Sequence, residues 1–321
     1  MPIDDIEKKI LVTGGAGDIG SKLVQALLDR GARVKILDCQ YGPFKRKKDP
    51  NLEFVKTGKD ELNGGMTDSE TVKQAITDVE VVYHLAINWN GHSWRHQLPL
   101  ADLFDINIRG TLNLLEAARS QGIRHFLFSS SCAVYGSQGS QAVDEETVCK
   151  PELWEGDPGP AYGVLKLVTE KLCLLYHQQH GLPITVFRIE AVFDENNALP
   201  SSKIVDNLRK GEIIEVTKGD GYASIHVNEV IQAFLSATLN ERAYGQVFNL
   251  SNPATFITYY ELYRFLIKNT NSKSKVRLAA DQASIGRAIE STKKIQKTLG
   301  WKPHKTKEDL KKAILQSIKS L

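Results

Sequence analysis

Residues 10–20 read ILVTGGAGDIG, with glycines at 14, 15, 17 and 20. Glycine loses more backbone freedom on folding than any other residue, so so dense a cluster needs a reason. The cluster follows three apolar residues and a threonine, the pattern of a buried strand. It precedes DIGSKLVQALLDRG, whose apolar residues recur at helical spacing and stop at Gly31, a suitable cap. A strand–turn–helix built this way is a place where something must approach the backbone closely.

The same rhythm continues along the chain. ARVKILD, VEVVYHLA, IRHFLFSSS and LPITVFRI read as strands; SETVKQAITD, DINIRGTLNLLEAARSQG and AYGVLKLVTEKLCLLYHQQHG read as helices; YGPFKRKKDPNLEFVKTGKDELNGG reads as loop, with at most one short strand at LEFVK. Near-continuous apolar strands alternating with helices predict an α/β fold, a doubly wound parallel (Rossmann) sheet covered on both faces. After about residue 190 the alternation breaks into short strands such as EIIEV and GQVFNLS, loops and two late helices. The expected organisation is a nucleotide-binding domain over residues 1–187, with 223–250 returning to its sheet. A smaller C-terminal α+β substrate domain is expected from 188–222 and 251–321.

In such a sheet the glycine turn is where a dinucleotide pyrophosphate rests on a helix N-terminus, held by backbone N–H groups. Gly14 allows the tight turn, Gly17 the approach of phosphate, and Gly20 the packing of helix on strand. Asp38 ends the second strand, where an acid binds both ribose hydroxyls of NAD and repels the 2′-phosphate of NADP. The basic run Lys45–Lys48 is the counter-signal: it suits a 2′-phosphate or simply a solvated loop.

Further on, Tyr162 and Lys166 stand four apart, on one face of a helix, and FSSSCAVYG brings Ser131 to the rim of the sheet. A tyrosine acting as base near neutral pH must ionise about three pH units below its ordinary value near 10, which takes roughly 4 kcal/mol. One cation about 4 Å away supplies that order of energy. Lys166 and the positive nicotinamide ring are suited to it, and Ser131 to orienting the substrate oxygen.

At these residues the chain resembles the extended short-chain dehydrogenase/reductase superfamily, in its NAD-dependent epimerase/dehydratase branch. The matching stretches are TGGAGDIG, HLA at 84–86, NIRGTLNLLEAAR from Asn107, FSSSCAVYG, Tyr162-x-x-x-Lys166 with Glu170 after it, IHV at 225–227 and LGWKP at 299–303. The resemblance implies a catalytic Ser131, Tyr162 and Lys166. It implies NAD held by Gly14, Gly17, Asp18, Ile19, Asp38, Leu85, Ala86, Asn107 and Ser129 together with Tyr162 and Lys166. Asn107 would be the family's helix-kinking asparagine, and helices near 107–120 and 162–180 the face of a homodimer.

Two positions depart from the nucleotide-sugar epimerase pattern. Ala191 stands where an asparagine touches the sugar nucleotide, and Tyr222 where an arginine meets the pyrophosphate. Tyrosine cannot reproduce a bidentate charged contact. Gly65 replaces an acid often found near the adenine. Cys132 and Ala133 follow Ser131 where dehydratases and decarboxylases carry an acid, which disfavours both reactions. The loop INWNGHSWRHQLP offers Trp89 to stack on a sugar and Arg95 to pair with a carboxylate or phosphate; it reads equally as a solvated loop. Ala191 and Ser131 complete the substrate set. Arg188 suits either a substrate or a structural carboxylate such as Glu190.

The leading reading is NAD-dependent oxidation of a secondary alcohol of a sugar or sugar nucleotide, with hydride returned by a nucleotide-sugar epimerase. The alternatives are a dehydrogenase of a sugar acid or other small hydroxylated substrate, and a non-catalytic NAD-binding regulator. A net charge of +3 gives no reason to expect a nucleic-acid partner. The four cysteines show no metal-ligand spacing, so no metal is expected. No apolar run has the length of a membrane span and the N-terminus is polar, which points to the cytoplasm.

Overall fold

The computed structural model describes residues 6–7, 9–57, 65–88, 98–137, 139, 142–154, 159–198, 202–279 and 289–319. The first half runs β1 (Lys9–Thr13), α1 (Asp18–Leu28), β2 (Val34–Asp38), β3 (Leu52–Lys56), α2 (Ser69–Ile76), β4 (Val79–His84), α3 (Leu100–Phe104), α4 (Gly110–Gln121) and β5 (His125–Ser131). Then follow α5 (Pro160–His180), β6 (Ile184–Ile189), β7 (Val192–Phe193), α6 (Ser202–Lys210), β8 (Ile213–Val216), β9 (Gly221–Tyr222), β10 (Ile225–His226) and α7 (Val227–Ala237). The chain ends with β11 (Gln246–Leu250), β12 (Ile257–Thr258), α8 (Tyr259–Thr270), β13 (Lys275–Leu278), α9 (Lys293–Leu299) and α10 (Lys307–Lys319).

Seven strands form one parallel sheet in the order β11-β6-β5-β4-β1-β2-β3. This is a Rossmann-like, doubly wound sheet. Strand β1 shows why its residues are apolar without alternation. Ile10 and Val12 pack with Leu23, Val24 and Leu27 of α1 and Val230 and Phe234 of α7. Leu11 between them joins Ile76 of α2, Leu114 and Leu115 of α4 and Cys173 of α5 on the other face. Both faces are dry, so every position must be apolar. A separate cluster gathers Ile204, Leu208, Ile214, Tyr222, Leu262, Leu266, Leu310 and Ile314 from the second half.

One charged network is buried within the sheet's α5 side. Arg188 lies opposite Ser130 in the β5–β6 register, and both meet Glu170 of α5. The guanidinium donates to both carboxylate oxygens, at 3.1 Å from Nε and 2.6 Å from Nη2, and Ser130 Oγ donates to Oε2 at 3.0 Å. Arg188 Nη1 donates to the Tyr135 hydroxyl at 2.9 Å, which donates in turn to Asn249 Oδ1 of β11 at 2.7 Å. Arg188 therefore pairs with Glu170, not with neighbouring Glu190, because the register turns it and Ser130 toward α5. It is a fixed structural cation with its donors committed.

Arg188 and Glu170 are 3% and 0% exposed, and removing one partner of so buried a pair strands the other's charge. Arg188→Met is expected to cost about 3–5 kcal/mol in urea unfolding. The double variant Arg188→Met/Glu170→Leu should recover more than half of that loss. Equal loss in the single and double variants would refute this account.

Candidate active site

A cavity of about 390 Å³ opens at the carboxyl ends of β1 and β4, where the strand order reverses. That is where doubly wound sheets bind ligands. Its wall is made possible by absent side chains. Gly14 adopts φ +69, and a Cβ there would sit 2.8 Å from the Ala86 nitrogen. A Cβ on Gly20 would fall 2.1 Å from the Gly14 oxygen. The role read for Gly20 is thus refined: it lets α1 close on the turn itself. Gly17 caps α1 with no side-chain hydrogen bond, so no side chain covers the N–H groups of the first turn. Asp38 is fixed at the mouth by accepting from Ala16 N at 2.9 Å and Gln40 N at 3.0 Å.

The lining brings together Gly14, Gly17, Asp18, Ile19, Asp38, Leu85, Ala86, Asn107, Ser129, Tyr162 and Lys166. Gly65 and Met66 also line it, as do Thr57 and Asn88, which the sequence reading left out. Asn88 carries no motif of its own. Its placement comes from Asn107, which sits in a π-helical turn, Asp105–Arg109, between α3 and α4. The Asn107 amide donates to Leu103 O at 2.7 Å and Asn88 O at 2.8 Å, and its oxygen accepts from Asn88 N at 2.9 Å. The widened turn and the chain beyond β4 are therefore one unit.

His84 completes that unit from below. Thr111 Oγ1 donates to Asn107 O at 2.6 Å, so it accepts from His84 Nε2 at 2.8 Å. Nδ1 then accepts from Thr13 Oγ1 at 2.7 Å, which itself accepts from Ala86 N at 3.2 Å. Every proton in the chain is assigned by its neighbours, and the imidazole is neutral with hydrogen on Nε2. Burial lowers its pKa to about 3, helped by the charge of Lys166.

Tyr162 and Lys166 line the cleft; Ser131, at the end of β5, is not a lining residue and joins them through Tyr162. Lys166 is 3% exposed and donates to Ser129 O at 2.6 Å; its Nζ lies 5.8 Å from the centre of the Tyr162 ring. The Tyr162 hydroxyl hydrogen-bonds the Ser131 side chain. Burial lowers the Lys166 pKa to about 7 and raises that of Tyr162 to about 12, the latter opposed by the Ser131 contact. Gly163 sets this geometry: a Cβ there would lie 2.7 Å from Ala133 O and 2.9 Å from Pro151 Cβ. Only glycine lets α5 rest against the turn that follows Ser131.

The residues expected to touch substrate are placed unequally. Ala191 is exposed at the rim of the sheet. Trp89 and Arg95 lie outside the described residues. Tyr222 is 1% exposed, ring to ring with Tyr259 and inside the second half's core. The position read as a phosphate contact is a packing position in this chain.

The family model for the NAD dependent epimerase/dehydratase family matches residues 10–251. The chain belongs to that family. It is an NAD-dependent enzyme of this family, and the acid at residue 38, the uncapped helix start and the buried lysine fit NAD. A protein of Methanocaldococcus jannaschii, named provisionally as a UDP-glucose 4-epimerase, is 30% identical over 95% of this chain and 97% of its own. An epimerase structure from Methanothermobacter thermautotrophicus superposes with a TM-score of 0.75 at 25% identity, covering 99% of this chain and 94% of that one. The UDP-glucuronic acid 4-epimerase of Bacillus cereus, solved with NAD, shares the fold at TM-score 0.75 and 24% identity, over 97% and 99% of the two chains.

Two outcomes follow for an NAD-dependent epimerase/dehydratase with this cleft. Titration should show NAD binding at least about ten-fold tighter than NADP, since a 2′-phosphate would replace a charge-assisted hydrogen bond to Asp38 with repulsion. Equal affinities would transfer the ribose contact to Lys45–Lys48. Gly163→Ala should lower turnover by at least about ten-fold, the cost of roughly an ångström of misplacement, while NAD affinity holds. Unchanged turnover would show that Tyr162 does not depend on the contact of α5 with Ala133.

Proposed function

We propose that the protein is an NAD-dependent epimerase of nucleotide sugars. The observation that carries this reading is the hydrogen bond of Ser131 to Tyr162 beside Lys166, with Tyr162 and Lys166 lining the cleft where the strand order reverses. Tyr162 accepts the proton of a substrate hydroxyl, and Ser131 holds the same oxygen by a hydrogen bond. Ionising Tyr162 from about 12 down to neutrality requires about 7 kcal/mol. At the 5.8 Å that separates Lys166 Nζ from the Tyr162 ring centre, an ammonium is worth about 3 kcal/mol at an effective dielectric near 20. When bound, NAD⁺ provides the hydride acceptor and a second positive charge at the same place. Lys166 fixes its own position through Ser129 O, so the cation does not reorganise as the proton moves.

Similarity to a relative named as a UDP-glucose 4-epimerase supports the sugar nucleotide as substrate. The acid that an elimination or decarboxylation would use after Ser131 is replaced by Cys132, a buried thiol donating to Arg188 O at 3.3 Å, and by Ala133. The division into 1–187 with 223–250, and 188–222 with 251–321, gives the cofactor and the sugar separate walls. The exposed Leu175 on α5 supports a homodimer through α4 and α5. Among the described residues no helix is long and apolar enough to cross a membrane, and we place the enzyme in the cytoplasm.

A dehydrogenase is the second reading, favoured by the burial of Tyr222, which leaves the usual diphosphate contact unmade. NAD-loaded protein incubated with UDP-glucose is expected to form UDP-galactose with no net NADH. Stoichiometric consumption of added NAD would instead establish a dehydrogenase. Tyr162→Phe should lower turnover by at least about 100-fold, the usual worth of a general base, with NAD affinity retained. Turnover near the wild-type rate would place the base elsewhere.

A further inference from the structure

The start of α1 is a thin wall. Asp18 and Ile19 line the cofactor cleft on one side and a second pocket, of about 130 Å³, on the other. Val192 and Phe193 of β7 also line this second pocket, as do Asp194 and Asn197 of the turn that follows. A void leaves the residues around it without contacts on that side, so apolar packing alone does not fix the first turn of α1 here. This is the turn whose N–H groups no side chain caps. A dinucleotide phosphate held by those groups depends on where they stand.

At this pocket Lys22 of α1 meets Asp194. Helix side chains lean toward the N-terminus, and the Lys22 ammonium donates to the Asp18 carbonyl oxygen at 3.4 Å. It pairs with Asp194 Oδ2 at 2.5 Å, the two side chains being 37% and 10% exposed. The carboxylate is anchored on its own side. Its other oxygen, Oδ1, accepts from Asn196 N at 2.7 Å and Asn197 N at 2.8 Å, and Asp194 N donates to Asn197 O at 3.0 Å, which closes the turn. Ala198 N then donates to Ser317 Oγ of α10 at 3.1 Å, and Phe193 packs in the core of the second half. Burial opposes the charge on Asp194, but Lys22 and the N–H groups of Asn196 and Asn197 outweigh it and hold the carboxyl below the usual carboxylate range. The pair is therefore ionised at neutral pH.

We propose that Lys22 and Asp194 form a clasp that fixes the start of α1 from behind and slows the release of NAD. Both are positioning residues: they act on the cofactor through the first turn of α1. The clasp ties that turn to a segment three residues beyond the exposed Ala191, so the second half of the molecule shares in the grip on the cofactor. It concerns NAD alone and holds whichever sugar is turned over. A clasp and a simple electrostatic field make opposite predictions for Asp194. By charge alone, losing Lys22 weakens the hold on a diphosphate and losing Asp194 strengthens it. A clasp fails in the same direction when either partner is removed.

The test loads the full-length protein with radiolabelled NAD and chases it with excess unlabelled NAD, with no sugar present. Lys22→Met and Asp194→Asn are each expected to release NAD about five-fold faster than wild type, the order expected for one partly buried ion pair felt in the dissociation rate. Asp194→Asn keeps an oxygen for the N–H groups of Asn196 and Asn197, so the turn itself persists. The double variant should release NAD no faster than the faster single variant, because the two changes remove one interaction. Lys22→Arg keeps the charge and should release NAD at close to the wild-type rate. Faster release from Lys22→Met with slower release from Asp194→Asn would overturn the clasp in favour of a bare field. Wild-type release from both variants, or losses that multiply in the double variant, would overturn it too. If Asp194→Asn does not fold, the two Lys22 variants decide: equal acceleration in Met and Arg would refute the ion pair. Because no sugar enters the assay, a failure of the epimerase reading leaves this result standing, and the reverse.

Discussion

The cofactor cleft depends on backbone touching backbone. At Gly14 the turn after β1 meets the chain leaving β4, and at Gly20 the first turn of α1 meets Gly14, with room for hydrogen and nothing larger. A methyl group at either position would push α1 or the β4 exit outward, and the helix N-terminus would leave the floor of the cavity. The His84 relay depends on the same contact. It joins Thr13, just before the turn, to Ala86, just after the approach, and carries that register on to Asn107. A neutral imidazole suits this task because it donates on one side and accepts on the other. A protonated ring would be two donors and would leave the Thr13 hydroxyl without the acceptor it now donates to.

The charges are sorted by what surrounds them. Arg188 and Glu170 neutralise each other inside the protein, and their network reaches β11 through Tyr135 and Asn249. That pair contributes no net charge beside the cleft. Among the described residues Lys166 has no carboxylate partner, and its ammonium donates to a backbone carbonyl. Burial therefore brings its pKa near neutrality, which keeps the positive charge available but not locked. The contrast is mechanistically useful: a lysine tied to a carboxylate would lend little of its field to Tyr162.

Much of this was legible in the sequence because it follows from periodicity and from residues that admit one backbone solution. The strand and helix alternation gave the sheet, and the glycines with Asp38 gave the cleft. The Tyr162–Lys166 spacing gave the face of α5 that meets Ser131. What the sequence hid are contacts made across long separations with no spacing to reveal them. Glu170 is eighteen residues before its partner Arg188, while the nearer Glu190 is a better guess by distance alone. Tyr222 sits in an otherwise recognisable motif, and nothing local tells whether such a tyrosine faces a ligand or the core. Gly163, hidden between Tyr162 and its lysine, has a role only once Ala133 is seen above it. The Cys132 thiol and the Glu190 and Glu290 carboxyls meet from three distant segments, so cysteine spacing could not show them.

The same division bears on how one fold can change its substrate while keeping its chemistry. The proposed Ser131, Tyr162 and Lys166 set stands on β5 and α5, which are tied to β1, β4 and α4 through backbone contacts and the His84 and Arg188 networks. Ala191 is exposed at the strand rim and Tyr222 is packed in the second half's core, so among the described contacts neither position belongs to those networks. A substitution at the rim therefore alters what a ligand meets at the cost of little packing, whereas one at Gly14, Gly163 or Glu170 displaces backbone or strands a buried charge.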